Sequence, residues 1–68
     1  MKSVTGRELA KALEKRGWSL LRIQGSHHIY GKKGTNVRLS VPIHGNKPLK
    51  VGLLSHLLKS ASLSEEDV

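Results

Sequence analysis

Apolar residues first recur at helical spacing. Leu9, Ala10, Ala12 and Leu13 fall on one face of a helical wheel, with Lys11, Glu14 and Lys15 elsewhere on it. Thr5-Gly6-Arg7-Glu8 ahead of them has the capping-box form, a hydroxyl at the cap and a carboxylate three residues on. Lys15 and Arg16 suit the negative end of the helix dipole, and Gly17 offers the left-handed stop. This predicts a first helix over about 5–16. Trp18-Ser19-Leu20-Leu21-Arg22-Ile23-Gln24 is too short for a second helix and rich in strand formers. Gly25-Ser26 breaks it, His27 to Lys32 resumes, and Lys33-Gly34-Thr35 breaks it again. Val37, Leu39 and Val41 then alternate with Arg38 and Ser40, the period of two of a half-buried strand.

Two short turns between three such runs predict an antiparallel meander with one apolar and one polar face. Pro42 to Pro48 reads as a loop carrying His44-Gly45-Asn46-Lys47. Val51, Leu53, Leu54, Leu57 and Leu58 then form a helical stripe, with Lys50, His56 and Lys59 off it, so a second helix is expected over about 49–60. Ser62-Leu63-Ser64-Glu65-Glu66 can add one capped turn, and the acidic end, 64–68, is otherwise expected to fray. The order α-β-β-β-α, with both helices covering one face of the sheet, is a two-layer α+β domain of the double-stranded-RNA-binding type. The other face would carry Arg38 and Ser40 into solvent.

Length and charge narrow what such a domain can do. Sixty-eight residues make one domain, 1–68, near the lower limit for folding without staples. Any site is then a surface patch or shallow groove. With no cysteine, a disulfide framework and a thiolate zinc site are both excluded, which suits a cytoplasmic protein. The start, Met1-Lys2-Ser3, runs straight into a helix signal, and no apolar run approaches the roughly 18 residues of a membrane span, so neither a signal peptide nor membrane insertion is expected. The net charge is +7, yet three of the five acids are Glu65, Glu66 and Asp67. The body before that tail is more basic still. It asks for a polyanionic partner, nucleic acid first, a membrane surface second, an acidic protein third.

Chemistry concentrates in Gly25-Ser26-His27-His28-Ile29-Tyr30, because an imidazole moves protons near neutral pH. Alternation pairs His27 with Ile29 on one face and His28 with Tyr30 on the other. If Ile29 faces the helices, His28 and Tyr30 point outward with Arg38, and His27 points toward the core layer. A bulge or strand end after Gly25-Ser26 can instead turn His27 out at the rim. Adjacent strand histidines diverge and no carboxylate lies nearby in sequence, so no metal site is expected. His44 is a candidate phosphate contact or second acid/base group, His56 reads as surface, and Trp18 reads as a core plug.

These features together resemble the HicA toxins, small mRNA interferases of bacterial type II toxin–antitoxin pairs. The resemblance runs through the capped helix ending in Gly17-Trp18 and the Gly25-Ser26-His27-His28-Ile29-Tyr30 segment. It continues through Ser40-Val41-Pro42 with His44-Gly45 behind it, and through Leu49-Lys50-Val51-Gly52 opening a leucine-rich helix that runs into Ser60-Ala61-Ser62-Leu63. Many members have an alanine-glycine break where this chain has Ser60-Ala61-Ser62. The resemblance implies a double-stranded-RNA-binding-like fold, metal-independent cleavage of mRNA without a cofactor, and a HicB-type antitoxin that covers the active site. In most members the essential histidine directly follows Gly-Ser, which is His27 here; members reading Gly-Ser-Asn-His match His28. The strand alternation leans to His28, so His27 is taken as the catalytic residue on the resemblance, with His28 as the alternative.

On this reading the RNA's own 2′-OH attacks the phosphodiester, with the histidine as general base on that hydroxyl or general acid at the 5′-oxygen, and His44 or a water supplying the other half. Lys32, Lys33, Arg38 and Lys47 would neutralise phosphate charge, while Gly25 and the Ser26 N–H bring the backbone close to the RNA. Tyr30 would sit beside them on the polar face. The alternatives are a module of the same fold that holds RNA without cutting it, and a basic adaptor for an acidic protein.

Overall fold

Residues 3–68 are described in a computed structural model of the chain. The capping box closes as its sequence form predicts: Glu8 N–H donates to Thr5 Oγ1 at 3.1 Å, and Thr5 N–H donates to Glu8 Oε1 at 2.9 Å. Helix α1 therefore starts at Gly6 and runs to Lys15. Its Leu9 and Leu13 are fully buried. Strands β1 (Trp18–Gln24), β2 (His27–Lys32) and β3 (Arg38–Pro42) form an antiparallel sheet in that order. Helix α2 covers Val51–Ser60, and a short 3-10 turn covers Glu65–Asp67. The architecture is the expected α+β arrangement, a three-stranded antiparallel sheet with two helices. No helix among the described residues is long and apolar enough to cross a membrane.

Both helices pack their stripes on one side of the sheet, where Leu9, Leu13, Leu54, Leu57 and Leu58 meet Trp18, Tyr30, Leu39 and Val41. The segment between β3 and α2 is tied to the amino terminus: Leu49 N–H donates to Val4 O at 2.7 Å, and Thr5 forms a bridge with Pro48. At the other end, Ser64 N–H donates to Asp67 and the Asp67 carboxylate pairs with Arg16 at the end of α1. The acidic end thus forms a turn against the body instead of a loose tail, with Leu63 and Val68 packed against the core.

The face assignment within β2 reverses the sequence expectation. Tyr30, only 3% exposed, is the residue that enters the core, and Ile29 is half-buried on the opposite face. The register makes the reason visible: Tyr30 lies opposite Leu39 and Leu20, and Ile29 opposite Ser40 and Arg22. An aromatic ring fills the space under α1 and α2 that a branched aliphatic residue would leave partly empty. Tyr30 therefore does not lie on the polar face, and His28, two residues before it and opposite Val41, is on the helix side as well. His27 takes the open face with Ile29.

Candidate functional site

The turn that presents the histidines is a two-residue hairpin loop, Gly25-Ser26. Gly25 has φ +60°, a left-handed conformation that a hairpin loop of this length demands at its first position and that glycine adopts without steric cost. Ser26 accepts from Ile43 N–H through its carbonyl at 2.8 Å, which ties the loop to the chain leaving β3. His27 then opens β2 opposite Pro42 of β3 and Gln24 of β1.

His27 is exposed, and its Nδ1 lies 3.1 Å from Ser40 Oγ, a hydrogen bond whose direction follows the tautomer. Ser40 sits diagonally across on the same face, two residues from Arg38. With Nδ1 engaged, the ring is oriented and Nε2 is the nitrogen left to exchange a proton with a substrate. Ser26 Oγ lies 3.4 Å from His44 Nε2. Two imidazoles therefore flank one end of the sheet, each oriented by a serine hydroxyl.

The remaining candidates divide by place. His28 lines a groove on the other side, with Arg7, Lys11 and Glu14 of α1. Tyr30 is in the core, where burial first and the Glu14 charge second push its phenol above the usual tyrosine range. Lys32 is drawn aside: its Nζ lies 5.9 Å from the Trp18 ring centroid, a cation–π contact on the helix-side face. Lys33 is in the turn after β2, and Arg38 is on the open face opposite Gly31. His44 and Lys47 line a groove of about 350 Å³ with Pro42, Pro48, Leu49, Lys50 and Leu53. Trp18 is 4% exposed and plugs the core as its position predicts, with no hydrogen-bond partner for its indole N–H among the described residues.

Alternation places Ser40 on the open face but not its contact with His27, and it misplaces Arg22 altogether. Ser40 reads simply as a solvent-facing strand residue until the register sets it against His27. Arg22 belongs by period two with Trp18 and Leu20 on the helix side. A β-bulge between Leu20 and Arg22 breaks that count, so Leu20 pairs with Tyr30 and Arg22 pairs with Ile29. The extra residue, Leu21, is unpaired, and Arg22 is swung onto the open face. The charge balance there is one-sided, because no Asp or Glu occurs between Lys15 and Ser64. No group of three or more His, Asp or Glu converges anywhere among the described residues.

Against known proteins, a family model described as the HicA toxin of bacterial toxin–antitoxin matches residues 6–63. That range takes in both helices and all three strands. No curated protein matches the chain.

Proposed function

The chain belongs to the HicA toxin family and is the toxin of a toxin–antitoxin pair; from that premise we propose that it is a metal-independent endoribonuclease that cuts mRNA, with His27 as the catalytic acid/base group. The observation that carries the assignment to His27 is its position on the open, acid-free face with Nδ1 held by Ser40, while His28 lies on the helix side in a groove shared with Glu14. The 2′-oxygen attacks the adjacent phosphorus and the P–O5′ bond breaks. The products are a 2′,3′-cyclic phosphate and a free 5′-hydroxyl. The 2′-OH proton leaves to a base and another proton reaches the 5′-oxygen. His27 Nε2 performs one of these transfers, and His44, two residues beyond Pro42 and beside Ser26 Oγ, is the candidate for the other. Arg38 and Arg22 lie where they can neutralise phosphate charge along the same face. A HicB-type antitoxin inhibits the toxin by covering this face.

The experiment is RNA cleavage in EDTA by wild type, His27→Ala and His28→Ala. His27→Ala is expected to cut about 10²–10⁴-fold more slowly, and His28→Ala to keep most of its activity. A wild type that binds RNA without cutting it establishes the non-catalytic module instead. Loss confined to His28→Ala moves the assignment to that residue.

A further inference from the structure

The open face carries an apolar feature that proton transfer and phosphate neutralisation leave unused. Leu21 is 52% exposed, the residue inserted by the β1 bulge, and Ile29 lies beside it on β2. Gly31, two residues beyond Ile29, lies between Leu21 and Arg38: a Cβ there would stand 2.7 Å from Leu21 Cδ1 and 3.2 Å from Arg38 Nη1. Leu21 and Arg38 are therefore folded down over the strand. Leu21, Arg22, Ile29 and Arg38 line a shallow cavity of about 270 Å³, two apolar side chains together with two arginines. Neither arginine is in an ion pair among the described residues.

The charge around this cavity selects its occupant. A second copy of the chain would bring its own +7 against the same cations. A nucleobase has apolar faces, stacks on guanidinium planes, and arrives joined to phosphates that the arginines can neutralise. In a duplex those faces are covered by neighbouring bases, so only an unpaired base can enter. Ile29 is two residues from His27 on one strand, about 6.5 Å along it, so the base belongs to a nucleotide close to the cleaved bond.

We propose that Leu21 and Ile29, flanked by Arg22 and Arg38, form a base-docking subsite that seats one unpaired base beside the bond presented to His27, which makes single-stranded or looped RNA the substrate. This rests on the nuclease reading, and the test separates the two. Once the cleaved bond is mapped, a labelled RNA carrying a 2′-deoxy nucleotide there is titrated against wild type at fixed salt, intact, with a single abasic position walked through its flanks, and annealed to its complement. One abasic position next to the bond is expected to weaken binding about fivefold, and the duplex to bind at least about tenfold more weakly. The abasic penalty should disappear in Leu21→Ser/Ile29→Ser, whose fold is checked by circular dichroism. A flat abasic walk, or a duplex bound as tightly as the single strand, overturns the subsite while cleavage stands. Leu21→Ser/Ile29→Ser that loses antitoxin binding yet keeps the abasic penalty also overturns it, because the cavity then serves a protein. A wild type that neither binds nor cuts RNA removes both readings.

Discussion

At the scale of single residues, the decisive contact is His27 Nδ1 to Ser40 Oγ at 3.1 Å. Ser40 touches no reacting atom in the proposed mechanism; it orients the ring and biases its tautomer. Ser40→Ala is therefore expected to lower kcat about five- to tenfold, the worth of one hydrogen bond, with KM nearly unchanged. It should also shift the pH–rate profile, and Ser40→Thr should recover part of the loss. A Ser40→Ala enzyme with unaltered kcat and pH profile would leave that bond without a catalytic role. Tyr30 gives the opposite test. A buried ring supports the core, so Tyr30→Ala is expected to cost about 3–5 kcal/mol, read as a lower urea midpoint. Were Tyr30 a surface RNA contact, the same change would weaken binding and leave stability almost untouched.

At the scale of elements, the packing of α1 on the end of β3 governs how the histidine end of the sheet is held. Gly6, the first residue of α1, has no room for a side chain: a Cβ would lie 2.2 Å from Pro42 O and 3.0 Å from Ile43 Cγ1. Pro42 is the cross-strand partner of His27, and Ile43 donates to the Ser26 carbonyl. Gly6→Ala must push the helix start away from that corner. About 1–3 kcal/mol of lost stability is expected in chemical denaturation, together with reduced cleavage. Unchanged values in both would mean that the corner relaxes freely. The bulge in β1 works at the same scale. Both helices, the three strands and their turns could be read from hydrophobic period and turn chemistry, but a bulge has no such mark in Leu20-Leu21-Arg22. Alternation misplaces Arg22 because one extra residue reverses every face that follows it.

At the scale of the whole molecule, the lack of any acid from Arg16 through Leu63 spreads positive potential over the sheet and α2. Binding of single-stranded RNA should weaken with salt at a log–log slope of about −0.7 for each phosphate contacted, and removing Arg22 or Arg38 should each flatten it by about that amount. A slope indifferent to both residues would put the RNA elsewhere. The acidic turn is held by a different balance. The Ser64 backbone N–H, the largest effect, holds the Asp67 carboxyl below its ordinary range; burial, the next largest, opposes it, and the Arg16 charge adds a smaller lowering. A carboxyl depressed on folding stabilises the native state above the unfolded pKa, and that contribution fades as pH falls through the folded value. Asp67→Asn is expected to lower the melting temperature slightly at neutral pH, with the difference closing in strong acid. An equal difference at both pH values would exclude the carboxylate as its source.

The amino-acid sequence by itself determined the helices, the meander, the basic body and the glycine-serine turn before the histidine pair. Each of these follows from local preference or composition. Only the tertiary structure decided the faces. Period two states that His27 and His28 diverge, but not which of them shares a side with the helices. That choice is made by what fills the core: Tyr30 goes in against Leu39, Leu20 lies across from it, and Ile29 is left outside. His27 consequently stands on the open face with Ser40 and Arg38, because packing volume under two helices outweighs the small difference in hydrophobicity between an aromatic and an aliphatic side chain.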